Sequence, residues 1–109
     1  MQQQTATLVH ELAEPFLAPD GHRYDVRVYG REREDGTWIG WLEFDNPLLA
    51  RLSTDRETTQ SKLEDVSYWA KGLEPVYVEG AFARALQGFG AFLLEASRQG
   101  FHGEIIGDQ

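Results

Sequence analysis

Residues 22–45 read HRYDVRVYGREREDGTWIGWLEFD, and the phase of this stretch decides how the chain folds. Tyr24, Val26 and Val28 alternate with Asp25 and Arg27, while Leu42 and Phe44 alternate with Trp41 and Glu43. A period of two belongs to strands with one buried face, so the stretch reads as a β-hairpin. Loop length sets its register. A two-residue Asp35-Gly36 turn would put Val28 opposite Glu43 and mix polar with apolar on both faces. A three-residue Glu34-Asp35-Gly36 loop, with Gly36 left-handed, puts Val28 opposite Leu42 and Val26 opposite Phe44. The second register is the expected one. It sets Gly30 opposite Gly40 on the core side, a gap for an aromatic from an overlying helix to fill. On the other side Arg27 meets Glu43 and Tyr29 meets Trp41.

Upstream, Pro19-Asp20-Gly21 has the chemistry of a type I turn closed by glycine, so residues 14–18 are expected to form a strand before the hairpin. Residues 5–12, TATLVHEL, match strand and helix periods equally poorly, and both stay open. Downstream, residues 50–57, ARLSTDRE, read as a short polar strand after the Asp45-Asn46-Pro47 turn. The period then changes. Ser61 and Glu64 have capping-box spacing, with Thr58 or Thr59 as alternative caps, and Leu63, Val66, Trp69, Ala70 and Leu73 recur at helical intervals up to a stop near Gly72. Val76-Tyr77-Val78 has strand composition. Pro75 at a first helical position, followed by Val78, Phe82, Ala85 and Phe89, favours a second helix over 75–99, bent or broken near Gly88 and Gly90. Ile105 and Ile106 suggest an edge strand in the tail.

At 109 residues the chain fits one domain over 1–109, with residues 1–4 disordered. The fold class is α+β: an antiparallel sheet of three to five strands, covered on one face by helices over 59–72 and 75–99. Eighteen acidic against ten basic residues give a formal charge of −8, which disfavours phosphate backbones and anionic lipid as partners. The absence of cysteine removes disulfides and thiolate chemistry. No apolar run approaches the length that spans a bilayer and no secretory signal opens the chain, so a cytoplasmic protein without a membrane partner is expected.

No motif carries an assignable reaction. His10, His22 and His102 lack metal-site spacing, no Gly-x-Ser-x-Gly elbow occurs, and Gly80, Gly88 and Gly90 do not form a phosphate-cradling pattern, so neither cofactor nor metal is expected. Arg56 to Gln60, RETTQ, reads as helix-capping polarity. The strongest constellation is the outward side of the hairpin, where Arg27, Tyr29 and Arg31 share one strand and Ile39 and Trp41 stand on its neighbour. Arginine beside aromatic rings is the composition of protein-interface hot spots. Tyr68 and Tyr77, in YWAKGLEPVYVEGAF (68–82), are secondary candidates, because aromatics at helical spacing there also serve core closure.

The segments GTWIGWLEF, RETTQ and GLEPVYVEGA resemble those of a family of short, functionally uncharacterised bacterial proteins. That resemblance implies a compact bacterial domain and transfers no site residue. The expected function is a non-catalytic protein-binding or self-associating module, with a homodimer as one form. Two other readings stand beside it: a small enzyme with acidic residues in a sheet–helix cleft, and a single-stranded nucleic-acid binder or antitoxin-like regulator.

Overall fold

A computed structural model describes residues 5–96, with side chains through residue 88. Six strands precede two helices: β1 (Thr7–Glu11), β2 (Phe16–Leu17), β3 (Arg23–Glu32), β4 (Trp38–Asn46), β5 (Ala50–Ser53), β6 (Thr58–Gln60), α1 (Leu63–Lys71) and α2 (Pro75–Ala96). The sheet is antiparallel and has four columns. β3 and β4 are the long central pair; β1 and β2 share the outer edge of β3, and β5 and β6 share the outer edge of β4. Both helices pack on one face, the α+β arrangement expected; the strands number six because each edge column is broken in two.

The hairpin register is the one its faces demand. Val28 pairs with Leu42, Val26 with Phe44, Tyr29 with Trp41 and Gly30 with Gly40. Gly36 has φ +91°, and its N–H donates to the Arg33 carbonyl while Arg33 N–H donates to the Thr37 carbonyl, closing the three-residue loop. The same device recurs at Pro19-Asp20-Gly21. Gly21 has φ +92°, Ala18 N–H donates to the His22 carbonyl, and the Asp20 carboxylate accepts from His22 N–H as Asp35 does from Thr37 N–H. An Asp-Gly pair thus makes each loop twice over, through a side-chain acceptor and a left-handed glycine.

Even-numbered side chains of β3 and β4 point at the helices. Val26, Val28, Leu42 and Phe44 are at most 1% exposed and pack with Val66 and Ala70 of α1 and with Val78, Ala81, Phe82 and Ala85 of α2. The α2 set recurs at i, i+3, i+4 and i+7, the stripe an amphipathic helix buries. Phe82 sits with its ring centroid 5.0–5.2 Å from those of Phe16, Tyr24 and Phe44, so one α2 ring anchors the helix to both long strands and to β2.

Several expectations are corrected. The gap between Gly30 and Gly40 is filled not by an aromatic from a helix but by Val66, Thr58, Val9 and the ring of Trp38 on β4: a Cβ on Gly40 would stand 3.0 Å from Val66 Cγ1 and 3.1 Å from Thr58 Cγ2, and one on Gly30 would stand 3.2 Å from Val9 Cγ2 and 3.5 Å from Trp38 Cε3. α1 therefore rides close to the sheet, and Gly40→Ala is expected to cost about 1–3 kcal/mol through overpacking, read as a shift in the urea midpoint. Residues 50–57 are not one strand. Pairing stops at Ser53, and Thr54 crosses the break with its side chain: its Oγ1 accepts from Leu42 N–H and its own N–H donates to the Leu42 carbonyl, both at 3.0 Å. Thr58–Gln60, expected to cap or begin a helix, instead pair with Trp38–Gly40. α1 accordingly starts at Leu63 after an extended Lys62, with no side-chain cap, in place of the Ser61–Glu64 box.

Gly72 ends α1 at φ −95°, not left-handed, its N–H donating to the Trp69 carbonyl. Pro75 opens α2, settling 75–79 as helix, and the helix runs unbroken through Gly88 and Gly90 to Ala96. Residues 7–11 are a strand. Its poor periodicity has a cause: the register slips between Leu8 and His10, a bulge that lets Val9 join the core while Leu8 and Glu11 stay outward. The expected disorder of residues 1–4, the tail strand and the last residues of the second helix lie outside the described residues.

Candidate protein-binding face

The odd-numbered side chains of β3 and β4 lie on the face opposite the helices. Registry arranges them in rows across the sheet. The middle row is Leu8–Tyr29–Trp41, with the Tyr29 and Trp41 rings stacked at 6.3 Å and 21° between planes. Cross-strand aromatic pairs of this kind stabilise a sheet by about 0.2–1 kcal/mol; both rings are only partly buried, and Leu8 is 52% exposed. This is an apolar strip without a cover among the described residues.

Two residues toward the hairpin tip stand Arg31, Ile39 and Thr59; two residues the other way stand Glu11, Arg27, Glu43 and Ser53, and beyond them Asp25, Asp45 and Arg51. The charges are sorted along the strands. Arg27 lies 3.5 Å from both Glu11 and Asp45 and 3.7 Å from Asp25, and Arg51 lies 3.7 Å from Asp45 and 3.9 Å from Glu43. Desolvation works against the charge on Arg27, but Glu11 and Asp45 outweigh it and raise its pKa further. The base of the face thus carries four carboxylates around Arg27 and Arg51, whereas at the tip Arg31 and Arg33 stand beside Glu34 and Asp35.

The structure brings Arg27, Tyr29, Arg31, Ile39 and Trp41 onto one surface, but not equivalently. Ile39 is only 9% exposed, forming the floor of a shallow depression of about 310 Å³ walled by Arg31, Trp41, Ser53, Thr54, Asp55 and Arg56. Leu8 belongs to the surface and escaped notice because the bulge hides its phase. Tyr68 and Tyr77 do not belong to it. Tyr68 is 82% exposed on α1, in the helical layer. Tyr77 is engaged within the molecule: its ring packs edge-on against Trp69 at 6.0 Å, Arg84 lies 5.4 Å over it, and its hydroxyl donates to the Glu57 carboxylate.

Glu57 is the residue that sequence reasoning passed over. Its side chain is 8% exposed and it also accepts two hydrogen bonds from Arg84, Nε to Oε2 at 3.0 Å and Nη2 to Oε1 at 2.8 Å. Burial works against its charge, but Arg84 and Tyr77 prevail and lower its pKa. Burial, then the bond to Glu57, pushes the Tyr77 phenol up to about 12. This cluster ties the loop before β6 to α2, with both Glu57 carboxylate oxygens accepting hydrogen bonds within it.

The sheet–helix cleft is a groove of about 590 Å³ between residues 12–17 and the start of α2, lined largely by Leu12, Phe16, Leu73, Pro75 and Val76. Its two carboxylates, Glu14 and Glu79, are both exposed, whereas acid–base pairs need sheltered and unequal settings. Among the described residues no helix is long and apolar enough to cross a membrane, and no three acidic or imidazole side chains converge as metal ligands. In comparison with known proteins, no family model, curated protein or solved structure matches the chain.

Proposed function

We propose that the chain is a non-catalytic protein-binding module whose contact surface is the outward face of β1, β3 and β4. The observation that carries this reading is the row Leu8–Tyr29–Trp41: an exposed leucine beside two stacked, partly buried rings on the face away from the helices, with Arg31 on one side and the row Glu11–Arg27–Glu43 on the other. An apolar, aromatic centre with a polar rim is how protein interfaces concentrate their energy. Phosphate recognition fits less well, because Arg27 and Arg51 already face carboxylates.

The double variant Tyr29→Ala/Trp41→Ala tests it. Neither ring belongs to the core, so each truncation is expected to cost about 1 kcal/mol of stability or less. Association should suffer far more, with a loss of at least about tenfold in affinity for whatever protein the wild type retains on a resin. Retention of the same proteins, and the same light-scattering mass, by a well-folded double variant would remove this face from consideration.

A further inference from the structure

We propose that the groove between residues 12–17 and α2 docks a basic amphipathic helix of a partner protein, at a second surface separate from the outward sheet face. α2 turns Val78, Ala81, Phe82 and Ala85 to the core and is left with two flanks. One flank is closed, because Tyr77 and Arg84 hold Glu57 there. The other carries Val76, Glu79, Ala83 and Leu86, which share a side of the helix at i, i+3, i+7 and i+10. It is open among the described residues, with Val76 71% and Leu86 48% exposed.

These four residues form one bank of the groove, and residues 12–20 form the other. Between the banks lie the 590 Å³ groove and a second hollow of about 300 Å³ lined by Tyr24, Phe82 and Leu86. Phe16 and Glu79 line both, so the two hollows adjoin. From Val76 to Leu86 the open flank is about 15 Å long, the length of three turns of a second helix laid beside it. Strand addition is disfavoured at this edge: β2 has two residues, and Pro15 next to it has no N–H to donate. A helix in a groove needs only an apolar stripe of side chains.

Charge sets the rest of the occupant. Every charged side chain lining the two hollows is acidic: Glu14 on one bank, Glu79 on the other, and Asp20. Asp20 is turned to His22 at 3.2 Å, whereas Glu14 and Glu79 have no ion-pair partner among the described residues. Lysine or arginine on both shoulders of the docked helix would meet a carboxylate on each bank. The chain's own end does not match this requirement, since Ile105 and Ile106 stand between Glu104 and Asp108 and would bring like charge to the groove. A contact of three turns is small, so the complex is a weak and reversible one.

The test uses the full chain, isotopically labelled for amide resonances, and two synthetic helical peptides of about 14 residues with the same leucine stripe. One is flanked by lysine, the other by glutamate. The lysine peptide is expected to shift residues 12–20 and 73–86 and to bind at least about tenfold more tightly than the glutamate peptide. Glu14→Lys/Glu79→Lys, at two exposed positions, should reverse that preference, with thermal melts confirming the fold. Glu32→Lys/Glu34→Lys makes the same change of charge at the hairpin and should leave the preference in place, which separates the groove from the chain's overall charge of −8. Tyr29→Ala/Trp41→Ala should not affect the peptide, so the two surfaces stand or fall separately. Equal effects of the two charge reversals, shifts confined to the outward sheet face, or no binding of the lysine peptide at millimolar concentration would each overturn the proposal. Contacts of Ile105 or Ile106 with Val76 in the free chain would overturn it too, by giving the groove to the chain's own end.

Discussion

Phe82→Ala is expected to destabilise the fold by about 3–5 kcal/mol, measured by urea denaturation. The ring is 6% exposed and touches Phe16, Tyr24 and Phe44, which belong to three different strands, so its loss opens a void at the point where α2 meets the sheet. Its neighbours cannot close that void cheaply. Tyr24 and Phe44 are fixed by the paired central strands, and Phe16 by a two-residue strand held on one side only. Total stabilities of small domains are about 5–15 kcal/mol, so the variant is expected to stand near the limit of folding. Phe82→Leu keeps most of the volume and should recover more than half of the loss. A Phe82→Ala midpoint within about 1 kcal/mol of wild type would show that the rest of the α2 stripe, Val78, Ala81 and Ala85, suffices to hold the helix.

How far the sequence discloses this arrangement depends on the range of the force that makes each part. The central hairpin is legible because its determinants are local: alternating faces from Tyr24 to Phe44 and an Asp-Gly loop whose length is fixed by face matching. α2 is legible for the same reason, through Pro75 at its start and a stripe of four buried residues. β1 is not, because one extra residue at the bulge destroys the alternation that would announce it. β6 is not either. Its three polar residues pair by backbone with Trp38–Gly40, and side-chain pattern carries no record of that ladder. The outward face follows from the hairpin's phase alone, so Arg27, Tyr29, Arg31 and Trp41 could be grouped from sequence. Leu8 joins them through the bulge, and Ile39 is withdrawn from contact by the Thr54–Arg56 loop, whose course depends on tertiary structure. Glu57 and Arg84 are 27 positions apart and meet only because α2 crosses above the break between β5 and β6.

That pair gives the second large effect. Arg84→Ala is expected to cost about 2–3 kcal/mol at neutral pH, because it leaves a carboxylate only 8% exposed with the Tyr77 hydroxyl as its main remaining partner. The figure sits below that of a fully buried pair because Arg84 itself is 49% exposed and water can take its place. The pH dependence separates charge from packing. Glu57 has its folded-state pKa lowered below the ordinary 4.5, so in wild type its contribution is present above that value and lost as pH falls through the lowered one. Without Arg84, burial is no longer opposed by a guanidinium, the carboxyl protonates at higher pH in the folded state, and the variant loses less on acidification than wild type does. The stability gap between the two should therefore narrow from about pH 7 to about pH 3. On the alkaline side Tyr77 has the opposite sign: its phenol is held protonated, so its contribution is present below the ordinary value of 10.0 and disappears as pH rises through about 12, an arm that Tyr77→Phe should abolish. A gap of equal size at both acidic and neutral pH would mean that Arg84 acts through its guanidinium lying over the Tyr77 ring, and that the ion pair with Glu57 contributes nothing to holding α2 on the sheet.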